Sequence, residues 1–563
     1  MGRTVAIGIQ NFAVLREKNC FYVDKTDFIK EWWETEDDVT LITRPRRFGK
    51  TLNISMLECF FSINYANRGD LFEGLSIWKE EKYRSLQGTW PVISLSFANI
   101  KETDFKTTQL KIRLIIKNLC SDYLFLLDSE KLAENEKDFI ERGAKGKLNE
   151  TEETMILYQL SKALSQYYGK KAIILLDEYD TPMQEAYIHG FWPELAGFIR
   201  SLFNSAFKTN PYLARGILTG ITRISKESIF SDLNHLKVVT TTSDEYSTAF
   251  GFTEEEVFAA LEECGLAEKK IEVKRWYDGF TFGEQKDIYN PWSIINFLNT
   301  GKLAAYWANT SNNGPISRLL QRSGKQVKTA FESLLHGETI VSPIDEQIIY
   351  DYMDNNETAI FSLLVASGYL KVVKIDEEPF LTYAKPRLYT LALTNNEVRS
   401  MFMAMFQDWF GYPGSEYNEF IKALLIGNIK MMNIFMNSIM IRTFSYFDTG
   451  NQPSIYAPER FYHGFVLGLL ADLSDRYTLT SNRESGFGRY DVVIEPFDQT
   501  KNAFILEFKV KDPNEESLEA TVETALAQIE EKRYDTDLLA KGFKKEQIKK
   551  YGFAFEGKKV LIG

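Results

Sequence analysis

The sequence predicts an α/β chain. A mostly parallel sheet covered by helices occupies the first half, a helical and winged-helix-like region follows, and a compact αβββαβ unit ends the chain. Two observations predict this. Short β-branched runs alternate with longer amphipathic stretches over roughly the first 230 residues, the pattern of strands joined by helical crossovers. Residues 455–563 then read as one helix, three strands, a long helix and a strand, the size of one small domain. The 563-residue length suggests roughly three to four domains.

Composition narrows the function. The chain is 44% apolar, 14% aromatic and 26% charged, with a net charge of −12, so it is globular and no nonspecific coat for nucleic acid, although local basic patches can still grip phosphate. Its first residues, MGRTVAIGIQ, lack the parts of a secretory signal, and Ala6 stands where a myristoylation signal needs Ser or Thr. No apolar run is long enough to span a membrane. Cys20, Cys59, Cys120 and Cys264 lie far apart and form no CxxC pair, and only four histidines occur. Disulfide scaffolding and a zinc ribbon are therefore not expected, and a cytoplasmic location is.

In chain order, VTLIT (39–43), PVISLSF (91–97), KAIILLD (171–177) and ARGILTGIT (214–222) read as strands. A helix is expected from Thr51 to about Asn64, and charged helical elaboration from about Lys101 to Gln166. These make up residues 1–248. Residues 249–316 read as a helical lid: Thr253 is a plausible N-cap for FTEEEVFAALEECGL, YDGF a turn, and IYNPWSIINFL a helix. Residues 317–394 carry helices and then FSLLVASGYLKVV and RLYTLAL, compatible with a winged-helix-like module. Residues 395–454 form a helical connector whose Met and Phe stripes read as interhelical core. In 455–563, helix 459–473 precedes strands 477–481, 489–495 and 503–510, a helix at 516–533 and a last strand near 551–555.

The segment TLITRPRRFGKT sets Gly49, Lys50 and Thr51 between a buried strand and a helix. That is where backbone N–H groups and the helix dipole meet an anion. Lys50 would reach the terminal phosphates and the Thr51 hydroxyl would ligate Mg²⁺. The full pattern wants glycine at position 44, which here is Arg44; Arg44, Arg46 and Arg47 would add positive charge near the phosphates. A plain structural loop is the competing reading. IILLDEYD ends a strand in Asp177 and Glu178, where a P-loop enzyme keeps its Walker B acids: Asp177 would hold Mg²⁺ and Glu178 would act as general base. At the end of the next strand, Thr219 or Thr222 could sense the γ-phosphate and Arg223 could neutralise charge in cis or across a subunit boundary, which would require a homo-oligomer. Strand-end residues with no such role are the alternative.

RYDVVIEP places Asp491 in a strand, and AFILEFKV places Glu507 and Lys509 at i and i+2, hence on one face of the next. Two carboxylates and a lysine on adjacent strands can bind Mg²⁺ and orient a water toward a phosphodiester. The competing reading is a cross-strand salt bridge between Lys509 and Asp491. Glu459 or Glu484 could add a carboxylate. Gln528 sits in the apolar stripe of the following helix, where its amide needs partners, and orienting the metal water or the lysine would supply them.

Together, RPRRFGKT, LLDEYD, TGITRIS, GFGRYDVVIEP and FILEFKV, with the N-terminal GIQNFAVLREKNCFYVDKT, resemble a bacterial AAA-ATPase-like protein with a C-terminal PD-(D/E)XK nuclease-superfamily domain. The resemblance implies a P-loop NTPase core over 1–248 and a restriction-endonuclease-like fold over 455–563, with ATP and Mg²⁺ as cofactors. It carries Lys50, Thr51, Asp177 and Glu178 to nucleotide chemistry, and Asp491, Glu507 and Lys509 to metal-dependent cleavage. The expected function is an ATPase coupled to a nuclease acting on DNA or RNA. The alternative is a signalling or scaffold NTPase whose nuclease-like domain only binds nucleic acid or protein.

Overall fold

The computed structural model describes residues 3–223, 229–230, 233, 235–308, 316, 319–320, 323, 325–335, 337–345, 357–375, 387–409, 416–444, 462, 466–467, 469–470, 473, 476–481, 484–485, 488–489, 491–512, 515–557 and 559–563. Two compact units emerge, Met1–Ser323 with Gly337–Arg399, and Gly324–His336 with Ser400–Gly563.

The first unit is built on a five-stranded parallel sheet of β1 (Val39–Thr43), β2 (Val92–Ser96), β3 (Ala172–Asp177), β4 (Leu213–Gly220) and β5 (Leu236–Val239), in the order β2-β3-β4-β1-β5. Four of these strands are the four sequence-predicted ones; β5, four residues long, is too short to show a period in the sequence. Every residue of β1 and β3 is buried, as a sheet covered on both faces requires. Helices Lys50–Phe61, Phe105–Asp122, Ile156–Tyr168 and Trp192–Phe207 cover it. Because β4 lies between β1 and β3, with Thr43 beside Gly220 and Leu176 beside Leu218, the carboxyl ends of all three strands meet at one sheet edge, where open α/β sheets bind ligands.

Residues 249–316 contain the two expected helices, Glu254–Glu263 and Pro291–Thr300, and also a small antiparallel sheet of β6 (Phe252–Thr253), β7 (Phe280–Phe282) and β8 (Gln285–Tyr289), in the order β6-β8-β7. The turn at YDGF leads straight into a hairpin closed by Gly283, at φ 55°, and Glu284. Phe280 and Phe282 set their rings edge-on against Phe48 at 4.8 and 5.4 Å, and this contact favours strand over helix. Helix Glu254–Glu263 starts as predicted: Thr253 and Glu256 exchange hydrogen bonds as a capping box. The wing holds three strands, β9 (Ile340–Pro343), β10 (Leu370–Ile375) and β11 (Leu388–Leu393), antiparallel in the order β10-β11-β9.

The second unit carries β12 (Tyr477–Ser481), β13 (Glu484–Ser485), β14 (Gly488–Arg489), β15 (Val492–Pro496), β16 (Ala503–Val510), β17 (Ile548–Glu556) and β18 (Lys559–Ile562). β13 and β14 pair with each other, and the rest form one sheet in the order β12-β15-β16-β17-β18. Only β16 and β17 run parallel; helix Leu518–Glu531 is their crossover. The predicted strand at 489–495 begins only at Val492, so Asp491 precedes it, and β18 follows the last predicted strand after a turn at Gly557 (φ 58°). Most of the helix expected over 459–473 lies outside the described residues.

Strand alternation splits this sheet cleanly. Phe504, Leu506 and Phe508 pack with Phe553, Phe555 and the Met432, Met436 and Met440 stripe, so the methionines are core, as their spacing implied. Ala503 and Ile505 face Ile529, Tyr534 and Leu538. That second face also carries Glu507 and Lys509.

Candidate functional site

In the first unit, the chain leaves β1, loops through 44–49 and enters helix Lys50–Phe61. Gly49 is left-handed at φ 82° with open space around its Cα, a conformation glycine adopts without strain. Lys50 is buried, and its Nζ donates to the loop's own carbonyls at Arg44 and Pro45, 2.9 Å each. Burial lowers its pKa against the raising effect of Glu178, Asp177 and Asp180. Thr51 Oγ1 donates to Asp177 Oδ2 at 2.7 Å, while Thr219 Oγ1 donates to Asp177 Oδ1 at 2.6 Å. The start of helix Lys50–Phe61 and the ends of β3 and β4 are thus joined through one buried carboxylate. Burial raises the Asp177 pKa, opposed by the Thr219 and Thr51 hydrogen bonds. Glu178 follows at φ 51° and accepts from Thr181 Oγ1 at 3.0 Å. Arg47 also has positive φ, 66°; strained non-glycine backbone of this kind gathers at functional sites. The hydroxyl and carboxylate oxygens of Thr51 and Asp177 are a hard donor set suited to a magnesium ion.

The expectation for Arg44 is corrected. Its side chain is fully buried and points away from the phosphate loop. The guanidinium donates to the carbonyls of Thr43 (3.0 Å), Thr240 (2.5 Å) and Glu245 (3.1 Å). It also lies 4.7 Å from the Phe282 ring centroid. Burial lowers its pKa to about 9. Arg46 and Arg47 remain at the loop surface: Arg46 donates to Gln184 Oε1 at 3.4 Å and Arg47 stacks over Trp292 at 4.3 Å. Thr222 gives its hydroxyl and amide to Asp180, and Arg223 is half-buried beside it.

In the second unit, the Phe508 amide donates to Asp491 Oδ2 at 2.8 Å, which holds Asp491 against the strand bearing Glu507. Glu507 is 2% exposed. Its Oε1 accepts from Gln528 Nε2 and lies 3.8 Å from Lys509 Nζ. The ion pair of Lys509 is therefore with Glu507, not with Asp491 as the competing reading had it. Gln528 Nε2 also donates to the Tyr534 hydroxyl at 3.0 Å. Burial raises the Tyr534 pKa, the Gln528 hydrogen bond opposes this, and the charges of Glu507 and Asp491 add to the rise. Glu459 lies outside the described residues, and of Glu484 only the strand position is described. Among the described residues no group of three or more His, Cys, Asp or Glu side chains is arranged to hold a metal, so a cation at this site would rest on Asp491 and Glu507 among them.

Residues 6–230 match a family described as predicted AAA-ATPase, and residues 457–563 match the PD-(D/E)XK nuclease superfamily. The chain joins an AAA-ATPase-like domain to a PD-(D/E)XK nuclease-superfamily domain. A relative from Azotobacter chroococcum mcd 1, described as an uncharacterized protein in the vnfD 5' region, is 24% identical over 551 residues, covering 96% of this chain and 94% of its own. The similarity thus runs through both domains and the region between them.

Within the AAA-ATPase-like domain, Lys50, Thr51, Asp177 and Glu178 converge at one sheet edge. Thr219 bonds to Asp177 directly, whereas Thr222 is committed to Asp180. Sequence reasoning missed Asp180 and Gln184 altogether; the only signal was a third acid in DEYD with an amide one turn further on. Within the PD-(D/E)XK domain, Asp491, Glu507, Lys509 and Gln528 come together, and Tyr534 joins them unannounced. Among the described residues no helix is long and apolar enough to cross a membrane.

Proposed function

We propose that the chain hydrolyses ATP and that its nucleotide state controls a metal-dependent nuclease acting on DNA or RNA. The observation that supports this best is that one chain assembles both constellations: Lys50, Thr51, Asp177 and Thr219 in one unit, and Asp491, Glu507, Lys509 and Gln528 in the other. The backbone around Gly49 and Lys50 would receive the phosphates. The Lys50 ammonium would exchange the carbonyls of Arg44 and Pro45 for phosphate oxygens. Thr51 and Asp177 would hold magnesium, which when bound neutralises charge on the terminal phosphates. Glu178 is our candidate for orienting the attacking water, and Thr219 fixes Asp177 in place. Asp491 and Glu507 would hold a divalent cation, which when bound supplies Lewis-acid chemistry at a phosphodiester. Lys509 would stabilise the negative charge that develops there, and Gln528 orients Glu507.

A second reading, a scaffold NTPase whose nuclease-like domain binds without cutting, draws support from the burial of Glu507 and its engagement by Gln528 and Lys509. One experiment separates the two. The purified chain is incubated with magnesium, ATP and single- and double-stranded DNA and RNA, beside Lys50→Ala and Lys509→Ala. Cleavage that needs Lys509, with ATP turnover that needs Lys50, supports the coupled enzyme. Binding of nucleic acid without cleavage under any condition sinks the nuclease half.

A further inference from the structure

Asp180 is not explained by phosphate or metal binding, yet it is the most heavily engaged carboxylate at this sheet edge. It is 1% exposed. Its Oδ2 accepts four hydrogen bonds, each 2.9 Å, from the Ile221 amide, the Thr222 amide, Thr222 Oγ1 and Gln184 Nε2. The Tyr179 hydroxyl donates to the Thr222 carbonyl at 2.7 Å, and the Tyr179 amide to the Thr219 carbonyl at 3.0 Å. Gly220 has no room for a side chain: a Cβ there would lie 2.6 Å from Tyr179 Cε1 and 2.7 Å from Asp180 Oδ1. The end of β4 is therefore moulded onto the turn that follows β3.

Gln184, one turn into helix Thr181–His189, extends this arrangement to the phosphate loop. Donation from its Nε2 to Asp180 fixes the amide so that Oε1 faces outward, where it accepts from Arg46 at 3.4 Å. The inner contacts are short and buried or part-buried, whereas the outer one is long and exposed. An anion that draws Arg46 away would break the outer contact first. A buried carboxylate is a costly device for packing alone; with four donors it also fixes orientation.

We propose that Asp180 and Gln184 are positioning residues that set Thr222 and Arg223 against the phosphate loop, reading the state of Arg46 through the Gln184 amide. The proposal rests on the ATPase reading above. In this role both act through Arg46, Thr222 and the Arg223 that follows it.

The test uses the full chain and ATP. Gln184→Ala removes a half-buried side chain and is expected to leave the fold intact, checked by an unchanged thermal midpoint. It is expected to lower kcat about tenfold while KM and equilibrium ATP binding stay within about threefold of wild type. Asp180→Ala is expected to lower kcat further, and Asp180→Asn, which keeps an acceptor oxygen, to recover most of it. Wild-type turnover above that of Lys50→Ala establishes the ATPase reading separately. Given that turnover, a kcat for Gln184→Ala within twofold of wild type overturns the relay alone, as does a rise in KM with kcat unchanged. No wild-type turnover at all overturns both.

Discussion

Glu397 shows how one side chain can tie a fold to solution conditions. It is fully buried, and its carboxylate accepts from Ser293 Oγ at 2.7 Å and from the amides of Trp307 (2.6 Å) and Ala308 (3.3 Å). Trp307 Nε1 in turn donates to the Arg46 carbonyl at 3.0 Å, as does Asn290 Nδ2 at 3.3 Å. Burial raises the Glu397 pKa from 4.5 to about 7 in spite of these donors. The folded state therefore binds this proton more tightly than the unfolded one. The resulting stabilisation is complete below the unfolded pKa and is lost as pH rises through about 7. Its full size is on the order of 3 kcal/mol. Glu397→Gln should remove this contribution. In urea titrations from pH 5 to 8, the wild type is expected to lose stability toward pH 8 relative to the variant; parallel pH profiles would refute the assignment. At this scale, legibility follows locality. Lys50 and Thr51 were readable because strand, loop and helix fix them in sequence, and Asp177 because it ends an apolar run. Arg44 was misread because its partners at Thr240 and Glu245 lie about 200 residues away. Asp180 was invisible because three of its four donors come from Ile221 and Thr222, just past the end of β4, and nothing in DEYD says that β4 lies alongside.

Among the elements, β18 shows how an edge is closed. Asn433 and Asn437, one turn apart on helix Ile429–Phe444, hydrogen-bond to its backbone. Asn433 exchanges two bonds of 2.8 Å with Ile562, and Asn437 exchanges bonds of 2.7 and 3.1 Å with Val560. Each amide side chain imitates a neighbouring strand and covers an edge that would otherwise invite pairing with another chain. Replacing both with Ala should cost about 1 kcal/mol per lost bond at most and uncover that edge. The readouts are hydrogen exchange at Val560 and Ile562 and light scattering on warming. Unchanged protection at both amides would count against the role. The strands around the nuclease-like site were readable because alternation in AFILEFKV and VVIEP fixes their faces. The lid hairpin was not, because FTF is too short to show a period, and its strand character comes from packing on Phe48. β18 was passed over for the same reason, four residues whose partners are contributed from elsewhere.

Over the whole molecule, the two units are interleaved along the chain. The second unit takes Gly324–His336 from the middle of the first before resuming at Ser400. Helix Lys325–Leu335 supplies buried Val327, Phe331 and Leu334, and the Phe331 ring sits 5.0 Å from that of Phe402. Burial of each such side chain is worth roughly 1.5–3 kcal/mol. A fragment of residues 400–563 should therefore be at least ~4 kcal/mol less stable than one that also carries 324–336 through a linker, measured by urea denaturation. Equal midpoints would show that the borrowed helix contributes nothing. The domain pattern of the sequence gave no hint of this loan, since helix 325–335 looks like any amphipathic segment and its destination depends on residues beyond 400. A protease that nicks the polypeptide once near 400 would sever one covalent crossing out of three. The released carboxyl-terminal piece would still grip residues 325–335, so the halves would elute together from a sizing column until a denaturant loosened that grip.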